Sequence, residues 1–187
     1  MGKILRRVAA LAVMLTLAGL FAPSASAAAA PYCGITWGSL EKVGPSYTHT
    51  TATINNVRAG RHDCYDRLVV DMGGGPAPEW YHVSYVPAVH QQGSGFPVPL
   101  AGGAFLNVIV GSAAHDAGYN PTYSPANPMQ AVNTAGFATF RQVAFLGTYE
   151  GQTQFGMGVR ARLPFRVFTL NGPGATGRLV IDVAHRW

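Results

Sequence analysis

Lysine is nearly absent from this chain: Lys3 and Lys42 are the only two in 187 residues. The formal charge of +5 arises largely at the N-terminus, because three of the 13 basic side chains and none of the 8 acidic ones precede residue 28. The remaining chain is near +2, with ten basic residues against eight acidic ones. A surface that tracks phosphates needs denser basic patches, so the composition argues against nucleic acid as a partner.

Long segments without glycine or proline are also missing. These two residue types make up 36 of 187 positions (23 plus 13), about 19% against a usual ~12%. After the N-terminal region, the longest stretch that lacks both is Ser46 to Ala59, which is rich in Thr, Ile and Val. No segment is left for a long amphipathic helix, so the sequence predicts an all-β domain.

Short strands bounded by turn residues fit this composition. The predicted strands are Tyr47–Val57, Arg67–Met72, Trp80–Val86, Phe105–Val110, Phe137–Tyr149, Gln152–Arg162, Phe165–Leu170 and Arg178–Ala184. Their spacing predicts a sandwich or barrel. The segment 111–136 is a long irregular loop, and loops of that length are either functional or mobile.

Signatures of catalysis and of metal binding are absent from the sequence. The histidines form no His-x-His and no His-Glu-x-x-His motif, and the two cysteines form no Cys-x-x-Cys. Gly93-Ser94-Gly95 lacks the spacing of a nucleophile elbow. The pairs His62-Asp63 and His115-Asp116 are interpreted as solvated loop residues, since no nucleophile accompanies them. We therefore predict no enzyme activity, no metal and no cofactor.

An export signal occupies the first residues. Lys3, Arg6 and Arg7 precede an apolar stretch, and Ala25-Ser26-Ala27 offers a cleavage site, so residues 1–27 are predicted to be a signal peptide. The apolar core is shorter than a membrane span, and Tyr32 before Cys33 does not suit lipidation. The mature protein is thus predicted to be secreted, associated with the cell wall and free of a stable membrane anchor.

Two cysteines, Cys33 and Cys64, remain in the predicted mature chain. In an oxidising compartment they most simply form one disulfide, and a metal pair is the weaker alternative. The disulfide would tie an N-terminal extension, residues 28–46, to a β domain that covers residues 47–187.

One strand is repeated within the chain. Arg67-Leu-Val-Val-Asp71-Met72 recurs as Arg178-Leu-Val-Ile-Asp182-Val183. Alternation places the apolar residues of each copy on one face and Arg, Val and Asp on the other. If the copies pair antiparallel with valine opposite valine, Arg67 faces Asp182 and Asp71 faces Arg178. The alternative is that these charges line a ligand-binding sheet.

Three features of the sequence resemble the AMIN domain and the exported actinobacterial AMIN-like proteins related to it. They are the pair of repeated strands, the segment Gly147-Thr-Tyr-Glu150-Gly151-Gln-Thr153 and the segment Pro164-Phe165-Arg166-Val167. The resemblance covers roughly Tyr47 to Trp187. It implies a β-sandwich of two similar sheets and an accessory, non-catalytic role in the cell envelope. In peptidoglycan amidases, the AMIN domain targets the enzyme to the wall.

A binding role requires planar donors and aromatic faces. Trp80-Tyr81, Arg162 and Arg166 are considered alongside the main candidates for ligand binding, which are Arg67, Asp71, Arg178, Asp182, Arg160, Tyr149 and Glu150. The expected partner is peptidoglycan or another cell-wall component. The alternative is a secreted scaffold or protein-interaction domain that docks an envelope protein.

Overall fold

The computed structural model of the protein describes residues 31–187, and the predicted signal peptide lies outside these residues. Within them, two short 3-10 turns accompany eleven strands. The strands are β1 Lys42–Val43, β2 Thr53–Arg61, β3 Tyr65–Gly73, β4 Tyr81–Val86, β5 Val89–His90, β6 Pro97–Val98, β7 Ala104–Val110, β8 Phe140–Tyr149, β9 Gln152–Val159, β10 Phe165–Asn171 and β11 Thr176–Ala184. No helix in this part of the chain is long and apolar enough to cross a bilayer.

The strands form two main antiparallel sheets. Sheet A has the order β10-β11-β3-β2, sheet B has the order β1-β4-β7-β9-β8, and β5 and β6 form a small separate hairpin. The predicted two-sheet β-sandwich is confirmed. The repeated strands β3 and β11 lie side by side at the centre of sheet A.

Alternation along the strands builds the core between the sheets. Leu68, Val70 and Met72 of β3 point inward and are at most 1% exposed. Sheet B supplies fully buried residues such as Phe155 and Met157, which belong to the same apolar cluster. Full burial of each such side chain contributes about 1.5–3 kcal/mol, so the core holds the two sheets together.

The first predicted strand is displaced along the chain. Strand β2 begins at Thr53, six residues after the predicted start at Tyr47. Hydroxyl groups explain the difference, because Ser46 Oγ accepts from the Thr48 N–H and Thr50 Oγ1 accepts from the Ala52 N–H. These local bonds offer the backbone an alternative to a sheet ladder.

The predicted Cys33–Cys64 disulfide is confirmed, and it joins the N-terminal segment to the start of β3. The residues after Cys33 run along one edge of the sandwich. Gly38 pairs with Phe165 at the start of β10, whereas Lys42–Val43 pairs with β4 of sheet B. This segment thereby connects both sheets at the same side.

The long loop 111–136 packs onto the core. Ala114 is buried, and the Tyr123 ring contacts Phe145 edge-on with centroids 5.2 Å apart. The Thr122 hydroxyl donates to the carbonyl of Ile54 at 2.7 Å. Further along, the Gln142 side chain of β8 donates to the Met129 carbonyl, which fastens the loop to an edge strand of sheet B.

Candidate functional site

The outer face of sheet A carries the charged residues of the repeat. Strands β3 and β11 pair in the predicted register, with Val69 opposite Val180 and Arg67 opposite Asp182. Asp71 lies opposite Arg178 in the same ladder. The repeat therefore places two arginines and two aspartates in adjacent strands, facing away from the core.

Asp182 is fully buried beneath two arginines. Arg67 donates to it from Nε at 2.7 Å and from Nη2 at 2.9 Å. Arg166 of β10 donates from Nε to Asp182 Oδ2 at 2.8 Å, and its Nη2 lies 2.8 Å from the same oxygen in an ion pair. The bonds to Asp182 raise the pKa of Arg67 against the opposing effect of burial. The predicted Arg67–Asp182 pair is confirmed, and the carboxylate fixes the planes of both guanidinium groups.

Aromatic rings frame these two guanidinium groups. The Tyr65 ring centroid lies 5.1 Å from the Arg67 guanidinium carbon and 5.4 Å from that of Arg166. Phe168 lies 5.6 Å from Arg67 and 5.1 Å from Arg166. Trp37 of the N-terminal segment lies 5.6 Å from Arg166. Cation–π contacts of this kind hold the arginines further in place.

The second predicted cross-strand ion pair does not form. Asp71 instead accepts from Arg58 of β2, with Nε at 2.8 Å and Nη2 at 3.1 Å, and from the Asn56 amide at 3.1 Å. A bidentate guanidinium satisfies both carboxylate oxygens, so Arg58 replaces the directly opposite Arg178. Within residues 31–187, the Arg178 guanidinium has no ion pair and no hydrogen bond.

A recess of about 240 Å³ opens between these side chains. Its floor is formed by Val69 and Val180, which are only 5% and 1% exposed although they lie on the outer face. The surrounding walls are formed by Arg58, Ala59, Gly60, His62, Arg67, Leu170 and Arg178. The recess thus combines an apolar floor with three guanidinium groups, a combination that suits a carboxylate attached to an apolar or saccharide group.

The other predicted ligand-binding residues lie elsewhere. Tyr149 is the last residue of β8, and Glu150 begins the turn to β9, where Glu150 (φ 50°) and Gly151 (φ 77°) both adopt left-handed backbone. A two-residue turn with both residues in this conformation matches the right-handed twist of the strands that it joins. Arg160 follows β9 at the opposite end of the sheet and donates to the His185 carbonyl at 2.6 Å. The structure therefore does not bring Tyr149, Glu150 and Arg160 into the recess.

Trp80 and Arg162 are also distant from the recess. Trp80 stacks on His49 beside the β8–β9 turn, with ring planes 3° apart and centroids 5.8 Å apart. The Arg162 guanidinium lies 4.9 Å from the Tyr85 ring at the end of β4. Tyr81 is half-buried and packs against the core from sheet B.

Arg58 was missed by the sequence analysis. It comes from β2, which carries no copy of the repeated motif, and it lies alone among small and polar residues. The strand containing Arg166 was recognised, but its shared contact with Asp182 depends on β10 pairing with β11. Strand order, which the sequence does not encode locally, brings both arginines to the face.

The His115-Asp116 pair is held by hydrogen bonds within its own loop. His115 Nδ1 contacts the backbone oxygen of Asp116 at 2.8 Å, and the Asp116 carboxylate accepts instead from Gly118 and Asn120. Bonds from Asn120 lower the pKa of Asp116 and close a tight loop. No group of three metal-ligating side chains occurs within residues 31–187. The outer face of sheet A is the arrangement best suited to binding.

Comparison with known proteins supports the same assignment of fold. The AMIN-like domain family model matches residues 52–185, which include both repeated strands and every strand from β2 to β11. No curated protein and no solved structure matches the chain.

Proposed function

Because the chain belongs to the AMIN-like domain family, we propose that it is an exported, non-catalytic domain that binds peptidoglycan through the outer face of sheet A. The family match supports a role related to the cell envelope. The Cys33–Cys64 disulfide fits an extracellular protein, since such bonds persist in oxidising compartments.

The observation that carries this proposal is the recess around Arg178. Arg58 and Arg67 are each held by an aspartate, whereas Arg178 has no partner of opposite charge in the described chain. A carboxylate ligand can therefore accept from the planar Arg178 guanidinium without breaking an existing ion pair or hydrogen bond. Peptide carboxylates of peptidoglycan provide such an acceptor, and the neighbouring guanidinium groups can donate to acetyl carbonyls.

The expected affinity is modest. A hydrogen bond to a charged group contributes about 1.5–3 kcal/mol, and a recess of this size admits few of them. After the loss of translational and rotational freedom, a single site is expected to bind in the micromolar to millimolar range. Because the wall repeats the same unit, rapid rebinding would retain the protein near its surface.

Co-sedimentation with purified peptidoglycan tests the proposal. Arg178→Gln should move the protein to the supernatant without unfolding it, because Arg178 holds no other described residue in place. Arg186→Gln removes the same charge from the end of the sandwich and serves as the matched control. Circular dichroism should show all three proteins folded. Equal sedimentation of both variants and the wild type would remove the recess from the binding site.

A second candidate function, docking of an envelope protein, rests on an apolar groove of about 600 Å³. The groove lies between the β5–β6 hairpin and β8, and its lining includes Pro97, Pro99, Met129 and Leu146. Phe96 beside it is 70% exposed. If the wild type stays in the supernatant with peptidoglycan at moderate salt, the peptidoglycan proposal fails. Leu146→Asp should then abolish crosslinking to an envelope protein.

A further inference from the structure

Five exposed arginines gather at one end of the sandwich, here called the basic end. They come from four parts of the chain, with two of them in the loop between β9 and β10: Arg61, Arg141, Arg160, Arg162 and Arg186. None belongs to the outer face of sheet A, so this cluster is separate from the recess.

Strand pairing brings these positions together. Arg61 ends β2 opposite Asp66 at the start of β3, and Ala184 at the end of β11 pairs with Tyr65. In sheet B, Val159 at the end of β9 pairs with Phe140 at the start of β8. Asp66 joins the two sheets here, because its carboxylate accepts from Thr139 just before β8. The arginines therefore surround a single end of the two sheets.

Backbone carbonyls hold most of these guanidinium groups. Arg61 donates to the Gly136 carbonyl at 3.2 Å, Arg160 to that of His185 at 2.6 Å and Arg162 to that of Ser39 at 3.2 Å. A carbonyl fixes the orientation of a guanidinium without neutralising it.

The remaining two arginines are also held. Arg141 donates to the carbonyls of Phe137 and Phe140 at 3.2 and 2.9 Å, and the Arg186 guanidinium lies 4.5 Å from the Tyr32 ring centroid. Within residues 31–187, none of the five pairs with a carboxylate. Three acidic residues lie near them: Asp63 is exposed, Asp66 is buried against Thr139 and His185, and the exposed Glu41, two residues after Ser39, lies 3.0 Å from His82 Nε2.

The opposite end of the sandwich has the opposite charge. Glu79, Asp116 and Glu150 lie in its loops and turns, which contain no Lys or Arg across residues 44–53, 73–80, 111–127, 150–151 and 171–175. A protein with one basic and one acidic end is an electric dipole, which the field of a charged surface orients. An anionic surface therefore attracts it by the basic end.

Two large exposed apolar residues accompany the arginines. Trp187 follows Arg186 and is 70% exposed, and Leu40 follows Ser39, whose carbonyl holds Arg162, and is 76% exposed. Tryptophan is characteristic of the interface between water and lipid, because its ring is apolar and its N–H still finds a partner there. A soluble polyanion is bound through charge alone, whereas a lipid surface also accommodates apolar side chains. The combination of basic and apolar residues therefore favours a lipid surface as the partner.

We propose that the basic end is a peripheral binding site for an anionic lipid bilayer, with the arginines at the headgroups and Trp187 and Leu40 among them. The predicted export route leaves the protein next to such a surface. The contact is reversible and sensitive to salt, since it rests on a few charges and two side chains. The recess on sheet A stays free in this orientation, because it lies on the side of the sandwich.

Vesicle sedimentation tests this site directly. The exported protein should bind vesicles of equal parts phosphatidylglycerol and phosphatidylcholine, and should not bind pure phosphatidylcholine. Each basic residue near an anionic surface changes the partition coefficient about fivefold, so Arg61→Gln/Arg186→Gln should lower it about 25-fold. Arg178→Gln is the control: it should leave vesicle binding unchanged while reducing sedimentation with peptidoglycan.

Tryptophan fluorescence gives a second measurement. Addition of anionic vesicles should shift the emission of the wild type to the blue, and Trp187→Phe should remove that shift although Trp37 and Trp80 remain. Equal binding to neutral and anionic vesicles, or no loss in the double arginine variant, would overturn the proposal. Tighter binding to soluble poly(glycerol phosphate) than to vesicles at equal phosphate would also overturn it and assign the basic end to a phosphate polymer.

Discussion

Asp66 is the residue whose replacement tests the packing of the two sheets most directly. It is fully buried at the start of β3, and its Oδ2 accepts from the Thr139 N–H, the Thr139 hydroxyl at 2.7 Å and the Phe140 N–H at 3.1 Å. His185 Nε2 lies 3.1 Å from Oδ1. One carboxylate of sheet A therefore holds the chain just before and at the start of β8 in sheet B.

Asp66→Asn keeps the shape of the side chain and removes its charge. A hydrogen bond to a charged acceptor contributes about 1.5–3 kcal/mol and one to a neutral acceptor about 0.5–1.5 kcal/mol. Each of the three donors to Oδ2 should thus lose about 1 kcal/mol, so the free energy of unfolding should fall by about 3 kcal/mol. For a domain of this size, that corresponds to a Tm lower by about 6–12 °C.

The loss in free energy of unfolding caused by Asp66→Asn should depend on pH. Burial disfavours the ionised carboxylate, but the bonds from Thr139, His185 and Phe140 outweigh it and lower the pKa of Asp66 below its ordinary value. A group whose folded-state pKa is depressed stabilises the protein above the unfolded-state pKa, about 3.9, and loses this contribution as pH falls through the folded-state pKa. The difference between wild type and Asp66→Asn should therefore narrow on acidification below about pH 4.

Urea denaturation followed by tryptophan fluorescence, at pH 7 and again at pH 3, measures both effects. Asp63→Asn makes the same chemical change at an exposed position three residues away and should alter stability by less than about 0.5 kcal/mol. A loss below 1 kcal/mol for Asp66→Asn at pH 7, or an equal difference at both pH values, would refute the assigned role of the carboxylate.

Three other predictions concern stability. Arg67→Met and Arg166→Met should each lower the free energy of unfolding by about 1–2 kcal/mol, because the other arginine still pairs with the buried Asp182 carboxylate. The double variant should lose more than the sum of the two, about 3–5 kcal/mol. Additive losses in a double-mutant cycle would contradict this. Cys33→Ser with Cys64→Ser should lower the free energy of unfolding by about 3–4 kcal/mol, and an unchanged urea midpoint would argue against that contribution. Gly158→Ala should cost at least about 2 kcal/mol by thermal melting, since an added Cβ overlaps the Ala101 carbonyl; a neutral result would mean that the 100–103 turn yields easily.

The repeated strand was the most predictive element of the sequence. Its alternation assigned Leu68 and Ile181 to the core, and the matched charges of the two copies gave the antiparallel register with Val69 opposite Val180. Both inferences use only the two-residue period of a strand and the cost of an unpaired charge. The same reasoning predicted an Arg178–Asp71 pair wrongly, because Arg58 of the third strand, β2, pairs with Asp71 instead.

The basic end was not predictable in the same way. Arg61, Arg141 and Arg186 are separated by 80 and 45 residues (61 to 141, 141 to 186), and no local pattern marks them. They meet because strands from both sheets end at one place, which requires the strand order of the whole domain. These five arginines form no run in the sequence, although the folded chain presents their guanidinium groups together.

Net charge conceals this distribution. Residues 31–187 carry near +2, yet the basic end holds five arginines against Glu41, Asp63 and Asp66, and the opposite end holds three acids and no cation in its loops. Strands of nine residues are about 30 Å long, whereas charges in 0.15 M salt are screened beyond about 8 Å. An approaching surface therefore senses one end at a time. Since the low overall charge does not weaken the local field, vesicle binding should decline steeply between 50 and 300 mM salt, even though the protein as a whole is almost neutral. A partition coefficient that stays constant across that range would show that the five guanidinium groups do not act together.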